Sequence, residues 1–213
     1  LHIIAEHFEP VNHCLLGLPG STAESIKKVS SHPQALAQCD THLRELGMEP
    51  IAALDTAGAA AALAESGDHS MGAIASSLAA ELYGLEVIKE NFQDVEGNTT
   101  RFLILARESS MPHLEPELTY MTSIMFTVRN IPASLYKALG GFATNGVNML
   151  KLESYMASDT MQATSFHLDV EAHPHESAMQ LALQELHFFA KDVRVMGTYL
   201  AHPFRHSKLK IED

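Results

Sequence analysis

The chain has 213 residues, 46% hydrophobic and 19% charged, a globular composition suited to one large domain or two ordinary ones. Its formal charge of −12 excludes a nucleic-acid surface, because phosphate binding needs clustered Lys and Arg, and the basic pair Lys27-Lys28 reads as a solvated helix face. No apolar run reaches the roughly 18 residues of a membrane span, Leu1 to Ala5 lacks the flanks of a signal peptide, and the two cysteines, Cys14 and Cys39, point to a reduced compartment, the cytoplasm.

In chain order, Leu1 to Ala5 is strand-like, and Asn12 to Leu18 is a compact apolar run closed by the turn Pro19-Gly20. Ser21 with Glu24 fits a capping box and predicts a short helix around Glu24 to Lys28. A second helix is expected from Pro33 to about Leu46, with Leu36, Leu43 and Leu46 on one side and Gly47 as its stop. Pro50 to Leu54 reads as a strand, after which Thr56 caps the Ala-rich helix Ala57 to Glu65. Met71 to Ala75 is a strand, Ser76 to Leu82 a helix, and Leu85 to Lys89 and Leu103 to Ala106 two further strands. This alternation predicts an α/β sheet of parallel strands joined by helices, with ligands at strand carboxyl ends and helix N-termini.

Met111-Pro112 and Glu115-Pro116 interrupt the pattern and mark a linker. Six elements follow: strand Thr119 to Val128, helix Ala133 to Thr144, strand Val147 to Tyr155, strand Gln162 to Val170, helix Glu176 to Ala190 and strand Val193 to Leu200. That is βαββαβ, the ferredoxin-like order. Ile211 to Asp213 and the residues just before them read as a loose tail.

Polar clusters mark where chemistry can occur. Asn98-Thr99-Thr100-Arg101-Phe102 sets hydroxyls and a guanidinium directly before a strand, where they can hold a carboxylate and a leaving hydroxyl together; a turn into an ordinary strand accounts for the same residues. Ser31-His32-Pro33-Gln34, with Gln38 about a turn further on, puts polar groups at a helix start, and a plain N-cap is the alternative. An anion site has Arg101, His32 and backbone N–H groups to draw on for local positive charge. Gly140-Gly141 with Asn145-Gly146 has neither the Lys nor the following helix of a phosphate loop and reads as a helix end with a tight turn. The 13 histidines, His173 and His175 among them, show no metal-ligand spacing.

These segments resemble a known family. Asn98 to Phe102 resembles the TRF signature of prephenate dehydratases, and Ser31-His32-Pro33-Gln34, running on to Gln38-Cys39, resembles their SHPQ segment. Lys151 to Ser154 resembles the ESRP signature of their regulatory ACT domain, and Ala138-Leu139-Gly140 its GAL segment. The resemblance covers essentially the whole chain in the family's order. It implies an α/β fold with a partial periplasmic-binding-protein-type (type II) catalytic domain at 1–108, a linker at 109–118, a ferredoxin-like ACT domain at 119–200 and a tail at 201–213. It further implies decarboxylation and dehydration of prephenate to phenylpyruvate with no cofactor. The implied effector is L-phenylalanine, and the implied assembly is a homodimer or tetramer formed through the ACT domain, with no nucleic-acid or membrane partner.

By the same resemblance Thr100 stands at the departing hydroxyl, Arg101, Ser31 and Gln38 assist it, and Thr99, Phe102, Thr56 and Ser76 contact substrate. For the effector, Ala138, Leu139 and Gly140 offer a close-approaching backbone, Asn148 and Leu150 point to one face of the next strand, and Glu153 with Ser154 ends it, Glu153 meeting the ammonium. Tyr155-Met156 stands where the family has Arg-Pro, so contacts made through that Arg are not expected. The family's first-lobe segment, with its Glu-Asn-Ser-type motif, has no match in the chain, which on this reading is a fragment whose cleft lacks one wall. Two other readings stand beside the first. One is a catalytically inactive amino-acid-binding regulatory module, and the other is an arogenate dehydratase acting on the amine counterpart of prephenate.

Overall fold

The structure, a computed structural model, describes residues 1–129, 131–156 and 163–207. Two compact units are present, Glu9–Thr100 and, in the second, Leu1–Phe8 together with the chain from Arg101 onward. Strands β1 (His2–Pro10) and β7 (Thr99–Ala106) pair as a ribbon and carry the chain from one unit to the other. The second unit resumes at Arg101, whose side chain is tied to Asp169 and Tyr199 within it. No helix among the described residues is long and apolar enough to cross a membrane.

The first unit holds β2 (Cys14–Gly17), β3 (Lys28–Ser31), α1 (Pro33–Gln38), α2 (Asp40–Glu45), β4 (Glu49–Ala52), α3 (Thr56–Ser66), β5 (Met71–Ala75), α4 (Ser77–Tyr83) and β6 (Glu86–Lys89). Its sheet has the order β4-β3-β5-β2-β6. β3 runs parallel to β4 and β5, whose connections contain the expected helices, but β2 is antiparallel to β5 and β6. The sheet is therefore mixed rather than parallel.

β2 connects to β3 without a crossover helix, because the capping box expected at Ser21 and Glu24 does not form. Ser21 Oγ instead lies 3.0 Å from His69 Nδ1, and Thr22 and Ser25 bond to each other's backbone N–H groups at 3.0 and 3.3 Å. Hydroxyls that satisfy nearby backbone groups in this way favour a turn over a helix. Alternation along the strands sorts the core. Leu16, Ala73 and Ala75 pack with Ala60, Leu63 and Ala80 of α3 and α4, while Leu15, Val29 and Ile74 pack with Leu36 and Leu43 of α1 and α2.

The helix expected over 33–46 breaks at Cys39, whose φ of −122° is not helical and whose side chain is fully buried. The break rotates α2, so Leu46 is exposed while Leu36 and Leu43 are not. At α3 the cap is Asp55, whose Oδ1 accepts the Gly58 N–H at 2.6 Å, and Thr56 is the first helical residue rather than the cap.

The second unit contains β8 (Tyr120–Val128), α5 (Ser134–Thr144), β9 (Asn148–Met156), β10 (Ala163–Glu171), α6 (Ser177–Phe189), β11 (Ala190–Leu200) and α7 (Phe204–Ser207). The order β11-β8-β10-β9 is antiparallel throughout, the βαββαβ connectivity expected from the sequence. Gln162, the expected first residue of β10, lies outside the described residues. One sheet face, with Ile124, Phe126, Phe166 and Leu168, packs on Ala138 and Phe142 of α5 and on Met179 and Leu186 of α6.

The other face is covered in part by the beginning of the chain. Ile3 passes so close to Gly197 that a Cβ there would sit 1.8 Å from the Ile3 carbonyl oxygen, so only glycine fits. The first residues of the segment expected as a tail, 201–213, pack against β1. Phe204 stacks on Phe8 at 4.9 Å, and Arg205 holds both oxygens of Glu6 at 2.6 and 2.8 Å. Residues 208–213, the end of that tail, lie outside the described residues.

Candidate active site and effector pocket

The first unit has a cleft of about 290 Å³ in which Thr100 and Asn98 face residues from three other elements. Gln34 and Gln38 come from the two ends of α1, His32 is its N-cap, and Thr56 with Asp55 opens α3. His13, just ahead of β2, completes the polar lining. A neighbouring hollow of about 520 Å³ shares Gln38 and Asn98. The segments meet here because α1, α3 and β7 all begin or end at this edge of the sheet, where an α/β fold leaves polar groups for ligands.

Several side chains in the cleft have fixed hydrogen-bond roles. His32 Nδ1 accepts the Gln34 N–H at 3.2 Å, which leaves Nε2 as the ring's donor. His13 Nε2 lies 2.7 Å from Gln38 Oε1, and the His13 backbone N–H donates to Gln93 Oε1 at 2.9 Å. Asp55 is the one carboxylate in the lining, and its capping of α3 directs its charge toward a helix N-terminus. Neither cysteine offers a nucleophile. Burial, helped by the Asp94 charge, pushes the Cys39 thiol up to about 12, and burial also raises Cys14.

Other residues singled out from the sequence lie elsewhere. Ser31 is fully buried, and its Oγ donates to the Ile74 carbonyl at 2.6 Å, strapping β3 to β5. Ser76 caps α4 by accepting the Ala79 N–H at 3.2 Å. Thr99 Oγ1 donates to the Gly97 carbonyl at 3.3 Å, and the Phe102 ring is exposed. None of these four lines the cleft.

Arg101 is outside it as well, at the centre of a buried charge network in the second unit. Its Nε donates to Glu6 Oε2 at 2.7 Å, Nη1 to Asp169 Oδ2 at 2.5 Å and Nη2 to the Tyr199 hydroxyl at 2.7 Å. Asp169 also accepts from Ser123 Oγ, and His167 Nε2 lies 3.2 Å from Asp169 Oδ1, off the line of a good hydrogen bond. Burial alone would raise the Asp169 carboxyl. His167, Ser123 and Arg101 outweigh it and hold the group well below the usual carboxylate range. Two arginines and two carboxylates, Arg101, Arg205, Glu6 and Asp169, thus balance in charge.

A second pocket, of about 470 Å³, lies in the second unit where the end of β8, the start of α5 and the strands β9 and β10 meet. Arg129, Ser134, Ser154 and Thr164 provide its polar groups, and Leu135, Leu152 and Phe166 its apolar walls. Of the expected effector residues, Ser154 is in this pocket. Glu153, one residue away, pairs with His167 across the strand while Ser154 pairs with Phe166, so the two side chains leave on opposite faces. Glu153 bonds instead to Lys151 at 3.1 Å and to the Tyr155 hydroxyl at 3.0 Å.

Ala138 is buried in the helix–sheet core, and Leu139 packs against that core. Gly140 has open space around it. A register shift at Asp169/Val170 interrupts the alternation that was to align Asn148 with Leu150, and Asn148 Nδ2 reaches Glu171 Oε2 at 3.4 Å. From α5 the pocket is lined by Ser134 and Leu135, not by Ala138–Gly140. Ala133, just ahead of α5, adopts φ 62°, a left-handed conformation uncommon for alanine that local sequence does not announce.

The fold describes an α/β protein with a cleft lined by amide, hydroxyl and imidazole groups and with a separate βαββαβ unit. The chain belongs to the prephenate dehydratase family, whose sequence profile, described as prephenate dehydratase, matches residues 1–110. It is 48% identical to a bifunctional N-acyl-homoserine lactone acylase/prephenate dehydratase of Komagataeibacter europaeus, over 96% of this chain and 73% of the relative. It is 44% identical to arogenate dehydratase/prephenate dehydratase 1 of Arabidopsis thaliana, a chloroplastic protein, over 93% of this chain and 54% of that protein's length. The chain thus spans about half of the plant relative. The prephenate dehydratase of Arthrobacter aurescens, solved in complex with L-Phe, superposes with a TM-score of 0.84 at 28% identity, over 94% of this chain and 66% of that one.

Proposed function

We propose that the protein carrying this chain converts prephenate to phenylpyruvate. The bond from the ring to its carboxylate breaks and carbon dioxide leaves. The bonding electrons pass into the ring, and hydroxide departs from the opposite carbon, taking up a proton to become water. Aromatisation drives both cleavages, so no cofactor is needed. On this reading the first unit is the second lobe of a periplasmic-binding-protein-type (type II) catalytic fold, and the βαββαβ unit is an ACT domain.

The observation that carries the reading is the gathering of Thr100, Gln38, Thr56 and Asn98 in one cleft within the residues that match the family. Thr100 donates a hydrogen bond to the departing hydroxyl. A threonine is a weak acid, so its contribution is directed hydrogen bonding in a sheltered site, not full proton transfer. Gln38 and the His32 Nε2–H bind carboxylate oxygens. Arg101 acts from behind, anchoring the strand that presents Thr100.

L-Phenylalanine is the proposed effector, its charged groups held by Arg129, Ser134 and Ser154 and its ring against Leu135 and Leu152. The L-Phe bound to the Arthrobacter protein supports that choice. The open edge β9, with Leu152, Tyr155 and Met156 exposed, favours association of two ACT domains into at least a homodimer. Light scattering that gives a clean monomer at micromolar concentration opposes the dimer.

The test is turnover. Thr100→Ala is expected to lower kcat for prephenate by about 10²–10⁴-fold with the fold intact, and a variant that keeps half its activity sinks the assignment. Relative kcat/KM on prephenate and arogenate separates the two dehydratase readings, both of which the name of the Arabidopsis relative includes. L-Phenylalanine binding without turnover of either acid favours the regulatory-module reading. The name of the Komagataeibacter relative adds N-acyl-homoserine lactone acylase, so amide hydrolysis of such a lactone is a second activity to measure on the same preparation.

A further inference from the structure

The cleft contains a part-buried pair, His13 and Gln38, of which the proposed reaction uses only Gln38. We infer that His13 is a positioning residue, whose Nε2–H fixes the carboxamide of Gln38 so that its NH₂ group is presented to an anionic substrate. The inference rests on the proposed dehydratase site and adds to it how Gln38 is held.

His13 Nε2 and Gln38 Oε1 are 2.7 Å apart, and both residues line the cleft. An amide oxygen only accepts, so Nε2 carries the proton and the amide nitrogen is left for the cleft. Reversing the amide exchanges these roles. Nε2 would then accept, and the carboxamide oxygen would face the cleft. An oxygen in that place repels a carboxylate, and Asp55 already contributes one acceptor to the lining. The tautomer of His13 therefore decides whether Gln38 attracts or repels the substrate.

Both partners are held from behind, which makes the couple a rigid device rather than a chance contact. The His13 backbone N–H is bonded to Gln93 Oε1 at 2.9 Å, and its carbonyl accepts the Phe92 N–H at 2.7 Å. The His13 side chain is buried, and the carbonyl of Gln38 accepts the Asp94 N–H at 2.7 Å. The segment 92–94 thus clamps His13 and Gln38 together. Of the two, His13 is the more deeply buried, so it acts through Gln38 and not on the reacting atoms.

Kinetics of His13→Ala, His13→Gln, Gln38→Ala and the double alanine variant test this, with thermal melts to confirm folding. His13→Ala is expected to raise KM for prephenate about 10- to 100-fold, the range of a lost hydrogen bond to a charged group, with kcat little changed. His13→Gln, which restores an N–H donor at similar reach, should recover most of the affinity. The double variant should be no worse than Gln38→Ala, because a group that acts through another has nothing left to position. Multiplicative effects of the two alanines overturn the inference, as does a loss confined to kcat. A spectroscopic readout is independent of turnover. In the ¹⁵N histidine spectrum of the unaltered protein His13 must show a protonated Nε2, and a bare Nε2 in the neutral ring overturns the assignment. Gln38→Ala with unchanged kinetics is a different failure, since it removes Gln38 from the substrate site and with it part of the dehydratase reading.

Discussion

Replacing Arg101 by Leu separates its structural role from catalysis. The substitution removes three donors at once, those to Glu6, Asp169 and Tyr199. Glu6 is left with Arg205 and the His202 N–H, at 2.6–3.1 Å, and stays compensated. Asp169, fully buried, keeps Ser123 and the poorly aligned His167, so the cost concentrates there. Breaking a buried pair by deleting one partner costs about 3–5 kcal/mol, and the partners Asp169 retains put this case near the lower end, about 3 kcal/mol. For a chain of this size that is a fall in Tm of about 6–12 °C.

The pH dependence has a defined sign. Asp169 and Glu6 both have folded-state pKa values below their ordinary ones, burial being outweighed by His167, Ser123 and Arg101 for the first and by Arg205 and His202 for the second. Their contribution is therefore present above the unfolded carboxyl value, about 4, and is lost as the pH falls below it. In Arg101→Leu the Asp169 carboxyl protonates more readily, so the gap between variant and parent should narrow on acidification. Thermal melts from pH 7 to about 3 measure this. Asp169→Asn introduced into Arg101→Leu should return part of the loss, since it removes the stranded charge. A fall under 1 kcal/mol, or strict additivity of the two changes, would refute the reasoning.

Three further outcomes are expected. Ser31→Ala should cost about 1 kcal/mol of stability through the lost bond to the Ile74 carbonyl while kcat is unchanged, so a large kcat defect in a folded variant would return Ser31 to the active site. Ala133→Gly relieves a residue at φ 62° and should stabilise the second unit by about 0.5–1 kcal/mol, with a lower Tm as the contrary result. Millimolar L-phenylalanine should raise the Tm, Ser134→Leu should abolish that shift by filling the pocket, and Thr100→Ala should leave it intact; a shift that survives Ser134→Leu places the effector elsewhere.

The parts of the fold that the sequence revealed are those decided by local pattern. Phe166, Leu168 and Val170 alternate, and the strand they predict packs on α5 and α6 through those residues. Met71 to Ala75 reads as a strand because an apolar run lies between turn signals, and β5 has those bounds. The misreadings occurred where two local preferences competed and a distant partner decided between them. Ser21 had a capping partner three residues on, but His69 offered its hydroxyl a bond and Thr22 and Ser25 satisfied each other. Leu36, Leu43 and Leu46 share a helical spacing, yet Cys39 interrupts the helix between them and follows the demands of the core. The direction of β2 was equally out of reach, since strand direction depends on whether a crossover helix intervenes.

The site was legible as a set of motifs but not as a geometry. Thr100 and Arg101 are adjacent in one motif, and a sequence motif invites the same role for both. A strand divides them, because successive side chains leave on opposite faces. Thr100 enters the cleft, while Arg101 joins Glu6, Asp169 and Tyr199, residues 95, 68 and 98 positions away. Ser31 and Gln38 repeat the division, one sealed against Ile74 and the other open to the cleft and paired with His13. His13 stood in the sequence as an unremarked residue beside Cys14, and only the folded chain brings its ring to Gln38. Glu153 and Ser154 show the same rule on β9, where the residue with the charge turns away from the pocket that its neighbour lines. What a motif transmits is therefore a strand or helix end in a fixed place. Which of its side chains do the binding is set by the pleat and by the partners that the rest of the fold supplies.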